Sequence, residues 1–172
     1  FRLRSDGFRL FGGTGSGLYK STDMGETWTR MTEGLPTKMG KMSIAVSRSN
    51  PEKVYALIES DSNEDERGLY VSTNAGKSWS HVTDEPRLVQ RAWYYIELFV
   101  DPKNENTIYV LSAPALRSDD GGKTWEQVEG VHGDYHDMWI NPDDPHNFIL
   151  ADDGGAVVTF DRGKSWSVQS NM

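Results

Sequence analysis

The sequence predicts an all-β chain, an arc of about four four-stranded units, each the size of a propeller blade. Three observations carry this. One octapeptide recurs four times: "STDMGETW" (21–28), "STNAGKSW" (72–79), "SDDGGKTW" (118–125) and, more loosely, "TFDRGKSW" (159–166). Its tryptophans, Trp28, Trp79, Trp125 and Trp166, are spaced by 51, 46 and 41 residues, the length of one blade. No stretch sustains a 3.6-residue apolar period, so helix is a poor reading throughout.

Each unit follows one template: strand A, an Asn/Asp-Pro turn, strand B, a variable loop, strand C, the octapeptide and strand D. The first unit is the least regular, with "FRLR" (1–4) and "FRLFGGT" (8–14) as its A and B strands. The second reads as strands over 41–47, 53–60, 68–73 and 78–83, with "SNP" (49–51) as the turn. In the third, "WYYIELFV" (93–100) precedes "DPKN" (101–104) and "NTIYVLSA" (106–113). In the fourth, "HDMWI" (136–140) precedes "NPDDP" (141–145) and "HNFILAD" (146–152). Apolar, aromatic and β-branched runs bounded by Pro, Asn and Asp are strand signals. The units span 1–35, 36–84, 85–130 and 131–172 of one propeller region.

The octapeptide falls between strands C and D, where the chain must reverse within a few residues. Asp23, Asn74, Asp120 and Asp161 are placed to accept bonds from backbone N–H groups of their own loops. Gly25, Gly76, Gly122 and Gly163 supply the positive φ that such a turn needs. Ser21, Thr27, Ser72 and Ser118 are hydroxyls that close the loop, and each tryptophan opens strand D by packing its ring into the blade. A turn that satisfies itself is architecture.

Composition narrows the function. With 36% hydrophobic and 26% charged residues the chain is globular, and its net charge of −8 excludes a nucleic-acid backbone as a partner. There are no cysteines, hence no disulfide framework and no thiolate metal site. The most apolar run, "AWYYIELFV" (92–100), is too short to span a bilayer and carries Glu97. The chain opens on Phe1 and reads as a piece of something longer, or a processed product.

The pattern S-x-D-x-G-x-[TS]-W resembles the Asp-box, or BNR repeat, of sialidases, xyloglucan-degrading glycosidases, photosystem-assembly propellers and the sortilin (VPS10) family. The segments "QRAWYYIELFVDP", "LRSDDGGKTWE", "HGDYHDMWINPDDP" and "DDGGAVVTFDRGKSW" are similar to large bacterial sortilin-like proteins labelled glycosyl hydrolases. The fourth copy departs from the pattern at Thr159 and Phe160. The resemblance implies an arc of a larger propeller and a secreted or periplasmic location. It implies neither cofactor nor membrane insertion. A sialidase would carry a proline after "FRL" near residue 4, and this chain has "FRLR".

In a propeller the A–B and C–D connections share one face and the D–A and B–C connections the other. The octapeptides therefore occupy one face, and the precedent of sialidases places a binding site opposite. Candidate loops are "PRLVQRAW" (86–93), "SDSNEDERG" (60–68), "VHGDYHD" (131–137) and "DDGG" (152–155). Trp93 and Trp139, the two tryptophans outside the octapeptides, fall in or beside them. In "HGDYHD", a strand entering at Asp134 puts Asp134 and His136 on one side and Tyr135 and Asp137 on the other. His132, Asp134 and His136 could then ligate a metal, or an imidazole–carboxylate pair could do acid–base work. Packing of the loop against the adjacent blade is the plainer role. "DSNEDERG" opens like a calcium loop, but Glu66 replaces the required glycine and Ser72 the terminal glutamate.

Two functions follow. In the first, sortilin-like reading, a binding scaffold captures a peptide or glycan through His132, His136, Trp93, Trp139 and Arg91. In the second, a polysaccharide hydrolase uses acids among Asp134, Asp137, Asp152 and Asp153, whose separation the sequence does not give. A role in assembling membrane complexes has support only from the shared octapeptide. Missing blades, or self-association, would complete the arc.

Overall fold

The computed structural model describes residues 3–5, 8–10, 15–60, 64–129 and 132–167. Every sheet in it is antiparallel. β1 (Leu3–Ser5) pairs with β2 (Phe8–Leu10), and β3 (Tyr19–Lys20) with β4 (Thr29–Arg30). β5 (Met42–Val46), β6 (Val54–Ile58), β7 (Gly68–Ser72) and β8 (Ser80–Thr83) form a four-stranded sheet in chain order. β9 (Glu97–Val100), β10 (Ile108–Leu111), β11 (Ala115–Ser118) and β12 (Glu126–Gln127) form the next. β13 (Tyr135–Ile140), β14 (Phe148–Asp152) and β15 (Gly155–Thr159) form the last, and Ser167 bonds to Val158 where a fourth strand would run. This is the up-and-down meander of a propeller blade, repeated.

The sheets stack face to face. Tyr55, Leu57 and Leu69 of the second unit meet Leu98, Ile108, Val110 and Leu116 of the third in one buried cluster. Tyr109, Leu111 and Ala115 on the other face of the third sheet meet Met138, Phe148, Leu150 and Val157 of the fourth. Val54, Ala56, Ile58, Tyr70 and Trp79, joined by Met39 of the same unit, pack back onto Leu18 and Met31 of the first. Successive residues of β6 and β10 thus point into different interfaces, which is why both strands are buried end to end. A strand covered on both faces reads as a continuous apolar run, as "VYALI" and "IYVL" do.

Two expectations change. The A strand of the third unit begins at Glu97, because residues 91–95 form a turn in which the Arg91 carbonyl accepts from the Tyr94 and Tyr95 amides. Pro86 starts that excursion as a 3₁₀ turn, capped by the Glu85 carboxylate on the Arg87 amide. The first unit holds two separate ribbons, β1–β2 and β3–β4, where one four-stranded sheet was expected.

Both ends of the arc present uncovered apolar surface. The rows Ala45–Tyr55–Val71 and Phe99–Tyr109–Arg117 face the following sheet, and the fourth-unit counterpart is Trp139–Ile149–Val158. Tyr55 and Tyr109 are fully buried, whereas Trp139 is 56% and Ile149 40% exposed. At the other end Trp28 is 61% exposed, against 6% for its equivalent Trp79.

Candidate functional site

The octapeptide loops fold onto themselves. The Asp23 carboxylate accepts from the Thr27 amide (2.9 Å), the Thr27 hydroxyl and the Ser21 hydroxyl, whose own oxygen accepts from the Gly25 amide. Asp120 does the same with Thr124, Ser118 and Lys123, and Asp161 with Ser165, Thr159 and Lys164. In the fourth copy Thr159 supplies the hydroxyl that serine supplies elsewhere, bonding the Gly163 amide at 2.9 Å. Asn74 keeps the geometry without the charge, accepting from Ser78 N and donating to the Ser78 hydroxyl. The bonds from Thr27 hold the Asp23 carboxyl down at about 2, and those from Ser165 do likewise for Asp161. Gly25, Gly76, Gly122 and Gly163 sit at φ of 96°, 84°, 96° and 85°. The residue before each, Met24, Ala75, Gly121 or Arg162, is also left-handed, which the sequence did not signal.

Three indoles donate to the glycine carbonyl of their own loop, while Trp166 donates to Glu129. The loops also tie to A–B turns, through Ala75 N to Glu52 O, Gly121 N to Asn106 O and Arg162 N to His146 O. Octapeptides and A–B turns therefore share one end of the sheets.

The opposite end gathers D–A and B–C loops into a mixed aromatic and polar cluster. The Asp134 carboxylate accepts from Arg91 (Oδ1 at 3.1 Å, Oδ2 at 3.3 Å) and from the Tyr95 phenol at 3.1 Å. That phenol also lies 3.1 Å from the Ser112 carbonyl, and the Arg91 amide donates to the Ser112 hydroxyl. The Arg91 guanidinium stands 5.5 Å from the Trp93 ring centre, within cation–π range. Trp93, Tyr94, Tyr95 and His136 continue as a run of ring contacts, at 5.9, 5.2 and 4.7 Å. His136 Nε2 is 2.7 Å from Asp153 Oδ1, and Lys41 of the second unit bonds the Tyr94 carbonyl. The Tyr94 ring is left exposed at the top of this stack.

The candidates separate. Arg91, Trp93, His136, Asp134 and Asp153 meet at the rim. His132 turns away, its Nδ1 donating to the Gly133 carbonyl. Asp137 caps the Met138 amide, and the nearly buried Asp152 accepts from Gly154 N in the B–C turn. Trp139 lies on the open face of the fourth sheet, in register with Ile149, and not on a loop. The alternation expected from Asp134 fails, because Asp134 is left-handed (φ 60°) outside the strand and a bulge at Tyr135–Asp137 leaves both His136 and Asp137 outward. Since His132, Asp134 and His136 each engage a different partner, they do not converge. Among the described residues no group of three or more His, Cys, Asp or Glu could hold a metal ion. Residues 61–63 of the calcium-like loop lie outside the described residues, and Glu64–Glu66 form a 3₁₀ turn.

Glu97 joins the site unannounced. It begins β9, half-buried between sheets, with Oε2 3.5 Å from the Ser43 hydroxyl. Burial pushes its carboxyl up, Lys41 pulls it back, and the charge of Asp137 adds to the rise. In sequence its apolar neighbours made it read as an ordinary strand residue.

Comparison with known proteins agrees with this architecture. The BNR/Asp-box repeat model matches residues 70–81 and 116–127. A probable oligoxyloglucan-reducing end-specific xyloglucanase of Neosartorya fischeri is 27% identical over 177 residues, 93% of this chain and 21% of the relative. A xyloglucanase of Paenibacillus sp is 28% identical over 174 residues, 85% of this chain and 16% of its own. The chain thus spans about a fifth of the relatives it matches. The GH74 enzyme of Niastella koreensis superposes with a TM-score of 0.68 at 17% identity, over 88% of this chain and 26% of the enzyme. YCF48 bound to D1 peptide superposes at 0.59 and 16% identity, over 90% and 48%. The chain carries Asp-box repeats on an all-β, propeller-type fold, and the names of its relatives favour the polysaccharide reading over the sortilin-like one. Among the described residues no helix is long and apolar enough to cross a membrane.

Proposed function

We propose that this chain is an arc of a larger propeller acting on polysaccharide, of the glycoside-hydrolase kind, and that the rim of its third and fourth units holds a sugar ring. The observation that carries this is the rim itself. An exposed Tyr94 and a neighbouring Trp93 present aromatic surface, with Arg91 over Trp93, His136 edge-on to Tyr94 and Asp153 bonded to that imidazole. Aromatic surface with a few placed polar groups suits a pyranose, which offers one apolar face and a hydroxyl edge. The relatives named as xyloglucanases align over 93% and 85% of this chain.

Four blades, at 1–35, 36–84, 85–130 and 131–172, form the arc. Further blades cover Trp139 and Ile149 at one end and Trp28 at the other, since the equivalent positions inside the arc are buried. A polysaccharide substrate places the protein outside the cell. For hydrolysis, Glu97 is the acid best suited to hold a proton, because burial between sheets beside Ser43 raises its carboxyl, with Asp137, whose charge reaches it, as the second carboxylate. Two carboxylates need no cofactor.

The test is direct. The full-length protein is incubated with xyloglucan, other β-glucans and an unrelated peptide library, reading retention and new reducing ends. Retention on xyloglucan, lost in Tyr94→Ala, is the expected result. Retention of peptides with no polysaccharide bound would overturn the reading.

A further inference from the structure

We infer that Asp134 is a positioning residue that, through Arg91, sets the Trp93–Tyr94 ring pair against which the sugar stacks. The inference rests on the sugar-binding reading above and assigns a residue that sequence alone offered as a metal ligand or acid. Three features carry it.

Both Asp134 oxygens are occupied. Arg91 takes Oδ1 and Oδ2, and the Tyr95 phenol shares Oδ1. A carboxylate so engaged is a poor proton acceptor but a good anchor. Next, the two groups it grips flank the platform. Arg91 lies over Trp93, and Tyr95 meets Tyr94 edge-on at 5.2 Å and an interplanar angle of 79°. One side chain thus constrains the turn at 91–95 from both ends, alongside the Ser112 bonds. Lastly, the backbone commits itself. Asp134 sits at φ 60°, a conformation that Asp and Asn tolerate better than other side chains, and its amide bonds the Ala113 carbonyl. The D–A loop of the fourth blade and the B–C turn of the third are pinned at the residue that reaches across to the third blade's D–A turn.

The experiment uses the full-length protein and separates this inference from the proposed function. Asp134→Asn keeps the left-handed backbone and removes the charge. With 5-fluorotryptophan incorporated, the Trp93 resonance is assigned by Trp93→Phe. In Asp134→Asn that resonance is expected to shift and broaden, while those of Trp79, Trp125 and Trp166 stay in place. Xyloglucan oligosaccharide affinity falls about three- to tenfold, the size expected when a partly exposed charge-assisted pair is lost. In a Trp93→Ala background the same substitution adds little further loss, because both act on one platform. An unmoved Trp93 resonance, or full additivity in the double variant, overturns the inference. A moved resonance in a protein that binds no sugar leaves Asp134 as a positioning residue and overturns the proposed ligand instead.

Discussion

The glycines of the first and third octapeptides share a φ of 96° but meet different surroundings, so together they isolate the blade–blade contact. A Cβ on Gly122 would lie 2.2 Å from Leu69 Cδ2, 3.4 Å from Ile108 Cδ1 and 3.5 Å from Val82 Cγ1. On Gly25 it would meet nothing nearer than Trp28 Cζ2 at 3.8 Å. Either Gly→Ala change carries the left-handed penalty of about 1–2 kcal/mol. Only Gly122→Ala adds overpacking, because Leu69 is fully buried between sheets and has little room to turn aside. That increment is about 1–3 kcal/mol. Urea unfolding followed by tryptophan fluorescence measures both variants. At an unchanged m-value the midpoint of Gly122→Ala should fall further, and its melting temperature should drop by an additional ~2–12 °C, at about 2–4 °C per kcal/mol for a chain of this size. Equal losses would refute the reasoning, since the loop would then owe its stability to itself alone and not to its seat on the preceding blade.

Other outcomes follow from the same structure. Asp23 and Asp161 are held at about 2 against a usual 3.8, so their contribution is present above pH 4 and fades as pH falls toward 2. Replacing both with Asn should flatten urea midpoints across that window and leave those above pH 5 nearly parallel to the wild type. Phe148→Ala, at a nearly sealed site against Tyr109 and Trp166, should cost about 3–5 kcal/mol by the same assay. Trp139→Lys in the full-length protein should lower the melting temperature if a further blade covers that face, and an unchanged value would speak against the larger propeller.

Local chemistry explains what could be read in advance. Asp23, Gly25, Thr27 and Trp28 bond within eight residues, so their spacing in the sequence is already their spacing in space. The doubly covered β6 and β10 announced themselves as apolar runs for a similar reason. The stretch 93–96 misled because aromatic residues suit a strand as well as they suit a platform. What bends it, Ser112 and Asp134, lies 21 to 43 residues from Arg91. Nothing adjacent in sequence marks Glu97, whereas the groups that act on its carboxyl, Ser43, Lys41 and Asp137, lie on neighbouring units.

From sequence alone came the repeat, its period, the self-bonded turn and hence the stack of sheets, because each rests on interactions between near neighbours along the chain. The rim was different. Which aspartate is an anchor, which tryptophan joins the platform and which faces open surface, and which carboxyl is pushed toward neutrality depend on contacts between separate blades. Only the packing of one sheet on the next brings those groups within reach of each other.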